Sequence, residues 1–146
     1  MTVNHKAELT VSSVIDSLDD SGLPEGEPEI SIFTTDGFIK AREGAVELTY
    51  AEKTEGGNVF CRLTVEDGGV LLSRSGAVEC NLSFREGETS STVYKIPPYA
   101  FDMSVSTKRV RTTLTEQGGE LQLVYLMSIG GQDRQARMKI SAKVKK

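Results

Sequence analysis

The stretch Leu121-Gln122-Leu123-Val124-Tyr125-Leu126-Met127-Ser128-Ile129, then Gly130-Gly131, then Gln132-Asp133-Arg134-Gln135-Ala136-Arg137-Met138-Lys139-Ile140-Ser141-Ala142-Lys143-Val144, carries the clearest structural signal in the chain. Leu121, Leu123, Tyr125, Met127 and Ile129 stand two apart, as do Ala136, Met138, Ile140, Ala142 and Val144. Side chains two apart project to one face of a β-strand, so each row is a core face. Arg137, Lys139, Ser141, Lys143 and Lys145 fall between and face water. The glycine pair supplies the positive φ that a tight hairpin turn requires. A slip of one residue would turn a whole row into solvent, which pins the register.

The same pattern extends upstream. Val46, Leu48 and Tyr50 form one row, Val59, Cys61, Leu63 and Val65 another, and Val78, Cys80, Leu82 and Phe84 a third. Turn signals separate them: Asp36-Gly37, Glu43-Gly44, Gly56-Gly57, Asp67-Gly68-Gly69, Ser75-Gly76, Glu86-Gly87 and Gly118-Gly119. Ala7–Leu18 fits both a helical period and a strand, and its serines and β-branched residues favour the strand. Between Phe101 and Leu114 the apolar parity changes from odd to even. A β-bulge near Thr107 to Arg109 accounts for this, and a simple kink is the plainer equivalent. Asp16–Glu29 holds six acids, two prolines and no Lys or Arg, and reads as a solvated surface connection between strands. The count comes to nine or ten strands.

A regular run of short strands divided by turns makes a sandwich or a barrel. A barrel removes the exposed edges, so an all-β, antiparallel up-and-down barrel of about 8–10 strands is expected, as one domain over 1–146. Such an interior is either filled by its own side chains or holds one small ligand. The 146 residues carry a net charge of −4, with 26% charged and 38% apolar residues, which excludes a disordered acidic tail. No apolar run approaches the roughly 20 residues that span a bilayer, and no signal-peptide pattern opens the chain. With two cysteines, the expected setting is a reducing cytoplasm. A Cys61–Cys80 disulfide is the minor alternative.

The segment Tyr94-Lys95-Ile96-Pro97-Pro98-Tyr99-Ala100-Phe101-Asp102-Met103, with Thr107, Gly118-Gly119-Glu120-Leu121 and Tyr125, resembles the YwiB-like family of small bacterial proteins. Ile32-Phe33-Thr34-Thr35-Asp36-Gly37, Leu48-Thr49-Tyr50-Ala51-Glu52 and Leu72-Ser73-Arg74-Ser75-Gly76 match in order, so the resemblance covers nearly the whole chain. It implies a lipocalin-like (calycin-type) barrel and brings no assigned activity with it. Where the family tends to have Pro-Tyr-Gly, this chain has Pro98-Tyr99-Ala100. The glycine-x-tryptophan signature of true lipocalins is absent, as there is no tryptophan.

The candidate ligand-lining residues are Tyr94, Pro98, Tyr99, Met103, Arg109 and Tyr125. A tyrosine offers an apolar body with a polar tip, and an inward arginine can fork onto a carboxylate. The plain alternative is that the tyrosines are core or rim, and that Arg109, with Lys108 and Arg111, lies on a solvated outer face. Arg62, Arg74 and Arg85 lie elsewhere on strands. Glu86, Glu88, Asp102 and Glu120 offer no spacing that selects a catalytic pair. His5, the one histidine, belongs to an expected frayed terminus. With no histidine-centred set and no zinc-ligand set, neither an enzyme nor a cofactor or metal is expected.

From Gln132 to Lys146 there are six basic residues against one acid. That stretch lacks the aromatics on which single-strand binders stack bases, so no nucleic acid is expected, and outward lysines guard a strand edge. This basic tail and the acidic stretch can also attract each other. The expected partner is a small apolar or amphipathic ligand, with no membrane. The competing reading is a structural or interaction protein using its outer face or an edge strand, a homodimer included.

Overall fold

The computed structural model describes residues 2–145. Its elements are β1 (Val3–Leu18), β2 (Pro24–Arg42), β3 (Ala45–Thr54), β4 (Gly57–Glu66), β5 (Gly69–Gly76), β6 (Cys80–Phe84), β7 (Thr89–Ile96), β8 (Tyr99–Thr112), β9 (Gly118–Ile129) and β10 (Gln132–Val144). No helix occurs among the described residues. The strands run in the order β6-β5-β4-β3-β2-β1-β10-β9-β8-β7, with each neighbouring pair antiparallel. The two ends of this sheet, β6 and β7, meet at the bridge Glu79↔Lys95, whose two backbone hydrogen bonds are each 2.9 Å. The result is a nearly closed ten-stranded barrel, as the strand count anticipates, rather than a sandwich.

The alternating rows become the filling. Ile39 faces Leu48, Leu48 faces Leu63, and Leu63 faces Leu72 across β2 to β5. On the other wall, Val11 and Leu121 both face Ile140. Leu9, Ile39, Leu48, Leu63, Phe84 and Ile140 are fully buried. Removing such a side chain from water contributes roughly 1.5–3 kcal/mol each. The Phe84 and Tyr125 rings meet with centroids 4.7 Å apart at 53°, and both residues are buried.

The parity change in β8 is a bulge. Thr107 pairs with Tyr125 and Arg109 with Val124, so Lys108 is the extra residue. The break is anchored: the Val110 N–H donates to Glu86 Oε1 at 2.8 Å, and Thr107 exchanges backbone bonds with Gly87 and Glu88. The β6–β7 turn is thereby tied to the bulge.

Two expectations need correction. Asp16–Glu29 is not a connection between strands: Asp16–Leu18 end β1 and Pro24–Glu29 begin β2, so only 19–23 form the turn. Asp19 Oδ1 accepts the N–H groups of Ser21 and Leu23, each at 2.9 Å, and closes it. The prolines and acids are tolerated because β2 pairs with β3 only from Gly37 to Arg42, leaving 24–36 with β1 as sole partner, and because Pro28 falls in a bulge at 26–28. His5 is likewise not a frayed end; it sits in β1 opposite Ile39. The attraction between acidic and basic stretches is realised within the chain, where Arg137 Nη2 lies 3.7 Å from Asp16 Oδ2.

Candidate ligand site at the barrel seam

Strand parity carries an arginine into the barrel. On β5, Val70 and Leu72 are buried and Arg74 follows at the same spacing. Its direct neighbours are Cys61 on β4 and Cys80 on β6, both buried. On β3, Glu52 continues the row of Leu48 and Tyr50. Arg74 Nη2 donates to Glu52 Oε2 at 2.9 Å, with the side chains 22% and 29% exposed. Burial opposes the Arg74 charge, but Cys61 and Glu52 outweigh it and hold the guanidinium above its usual pKa. The group is a permanent cation facing the inside of a barrel.

Aromatic hydroxyls and thiols surround it. Burial, then Cys61, pushes the Tyr50 phenol well above its ordinary range, and the Phe33 ring lies 6.4 Å from the Tyr50 ring. Burial also raises Tyr94, and pushes Tyr125 up to about 12, in both cases against the pull of Arg74. The Cys61 and Cys80 thiols are pushed up by burial too, again with Arg74 opposing. They stay protonated near neutral pH and are poor nucleophiles. Since Arg74 stands between them, their Cα atoms are two strand spacings apart, about 9–10 Å. That exceeds the roughly 7 Å limit for a disulfide, and both thiols are free. Among the described residues, no group of His, Cys, Asp and Glu could hold a metal ion.

The seam gives this cluster an opening. A cavity of about 460 Å³ lies over β5, β6 and β7 and reaches Arg74, Cys80 and Thr92. Arg62 and Lys95 add two more cations to its lining, against one carboxylate, Glu79. Ser75 contributes a hydroxyl and Val93, 43% exposed, an apolar surface. An anionic group entering here meets a cation that Glu52 engages from one side.

The residues proposed from sequence scatter around this point. Tyr94 is half-buried and Tyr125 buried, and both feel the charge of Arg74. Met103 is buried opposite Thr92. Pro98 and Tyr99 stand outside: β8 joins β9 only from Met103 onward, so the β7–β8 hairpin projects past the rim and leaves Tyr99 66% exposed. Arg109 is exposed because the bulged Lys108 turns it outward beside Val124. The carboxylates do not converge: Glu86 caps the bulge, Glu88 pairs with Arg85, Glu120 with Lys139, and Asp102 is exposed. The arginine and carboxylate that meet on the inward face, Arg74 and Glu52, were marked only by their parity with buried neighbours.

Comparison with known proteins agrees with this architecture. A family profile described as a domain of unknown function (DUF1934) matches residues 21–141. An uncharacterized β-barrel protein, YwiB of Bacillus subtilis, is 33% identical over 122 residues, which cover 84% of this chain and 81% of that protein. The crystal structure of the Bacillus subtilis YwiB protein superposes with a TM-score of 0.85 at 31% identity, covering 98% of this chain and 94% of that one.

Proposed function

The chain belongs to the DUF1934 family, and on that premise we propose that it binds a small amphipathic molecule carrying an anionic group, without transforming it. The ligand's acid forks onto Arg74 at the seam, and its apolar part lies against Val93. The observation that carries this reading is an inward guanidinium, paired on one side and reached by a cavity of about 460 Å³. Ligand pockets of this kind run from roughly 300 to 1,000 Å³ with a few placed polar groups. On this reading the barrel is a lipocalin-like holder with its guest at the seam, beside an interior in which Phe84, Leu63 and Ile140 are fully buried. Protonated thiols and a histidine on the first strand, away from Arg74, favour holding over catalysis. Two free thiols suit a reducing cytoplasm.

The test is native mass spectrometry of protein purified without denaturation, followed by thermal shift with decanoate, hexyl phosphate and decanol. Retained mass, or stabilisation by the two anions that Arg74→Met abolishes, is the expected result. No retained mass together with no shift for any probe overturns the reading, as does an equal response to decanol.

A further inference from the structure

A second feature has nothing to do with the seam. From residue 24 to 36 the sole strand partner of β2 is β1, with a bulge at 26–28, and its other edge has no strand partner. The first part of that edge is blunted by Pro24, Pro28, the acids Glu25, Glu27 and Glu29, and Gly26 at φ 74°. The part that follows, Ile30-Ser31-Ile32-Phe33-Thr34-Thr35, has no charge and no proline. Ile30 and Ile32 are 72% and 70% exposed on the outer face, while Phe33 turns inward toward Tyr50. Unpaired backbone groups beside adjacent exposed isoleucines form a template for another strand.

We propose that this edge pairs with the same edge of a second copy, antiparallel about a two-fold axis through Ser31. In that register Ser31 lies opposite its own counterpart, and Ile30 of each copy lies opposite Ile32 of the other, so four isoleucines close into one cluster. Beside this cluster Glu29 of each copy meets Phe33 of the other, and the bulge at 26–28 keeps the remaining acids of the strand start out of the regular ladder. The segment is thus self-complementary in side-chain pattern as well as backbone, as an isologous contact requires. A foreign strand has no such constraint to satisfy, and nothing in the sequence of the edge specifies one.

Sedimentation over a wide concentration range gives the first readout, and a concentration-dependent dimer is expected. Ile30→Lys with Ile32→Lys should weaken it about tenfold or more through loss of the cross-strand pairs. Both positions are exposed, so the monomer's melting temperature serves as the folding control. Ser31→Cys should form an intermolecular disulfide on mild oxidation, because facing residues across an antiparallel pair are about 4.5–5.5 Å apart. Thr34→Cys should not, being displaced from its counterpart by about 20 Å in this register. A chain that stays monomeric with no Ser31→Cys cross-link overturns the proposal. So does a dimer that survives both lysines, or one that Thr34→Cys cross-links equally well. A monomer that captures an unrelated protein on this edge overturns it as well.

Discussion

Arg74 and Glu52 join two strands that are not bonded to each other: the 2.9 Å contact reaches from β5 to β3 over Cys61 on the intervening β4. The pair therefore braces a three-strand width of the wall from within, on the side that leads to the β6–β7 seam. Each partner is about a quarter exposed, so its contribution lies between that of a surface pair and a buried one.

Removing one partner leaves the other half-buried and unpaired. Arg74→Met and Glu52→Gln are each expected to cost about 1–2 kcal/mol, and the double variant less than their sum. Urea unfolding in a double-mutant cycle measures this. A coupling energy near zero would show that the contact contributes nothing.

Gly37 lies where β2 leaves its free run and joins β3, and it is buried. A Cβ there would overlap the Thr49 carbonyl oxygen and come within 2.9 Å of Leu9 Cδ1. Backbone cannot yield as a flexible side chain can, so Gly37→Ala is expected to cost about 2–3 kcal/mol. Gly44→Ala is the contrast, for its φ of +78° carries strain but its surroundings are empty. The two midpoints in urea should separate accordingly.

Phe84 has no exposed surface and holds Tyr125 at 4.7 Å. Phe84→Ala should destabilise by about 3–5 kcal/mol, more than any surface change. The loss should appear as a large drop in melting temperature with the strand signal in circular dichroism retained at low temperature.

Stability should fall on the alkaline side. Tyr50, Tyr94, Tyr125, Cys61 and Cys80 all have folded pKa values raised, chiefly by burial, above the ordinary 10.0 for tyrosine and 9.0 for cysteine. The folded state then holds these protons more tightly than the unfolded chain, so unfolding becomes easier once the pH passes those unfolded values. The urea midpoint should be level from these groups below about pH 8 and decline from pH 9 through about 12, the value for Tyr125. Tyr125→Phe should make the decline shallower; an unchanged profile in that variant would contradict the assignment.

The thiols provide a check on barrel closure. Neither Cys61 nor Cys80 should react quickly with a bulky thiol reagent in native conditions, and both should react on unfolding. Non-reducing mass analysis should find no intramolecular disulfide even after oxidation of the native protein.

The alternating rows of β9 and β10 were legible because each buries one face only, and the bulge at Lys108 because apolar parity must reset there. The start of β2 was not legible: a strand bonded on one side can carry prolines and acids, and then looks like a linker. Arg74 was within reach, since Val70, Leu72 and Arg74 share one parity, but a lone charge at a strand end is as readily read as solvated. The exposure of Tyr99 and Arg109 was not legible for a different reason. How far a hairpin overshoots its neighbours, and what a bulge does to the next residue, depend on pairing with distant strands.

The bridge between Glu79 and Lys95 is the weakest stitch in the ring, two backbone hydrogen bonds where other strand pairs have a ladder. Transient opening should therefore concentrate there, and amide protons along Cys80–Ile96 should exchange with deuterium ahead of those in Leu121–Ala142. A guest molecule would then enter by local breathing, with no need for the opposite wall to unfold.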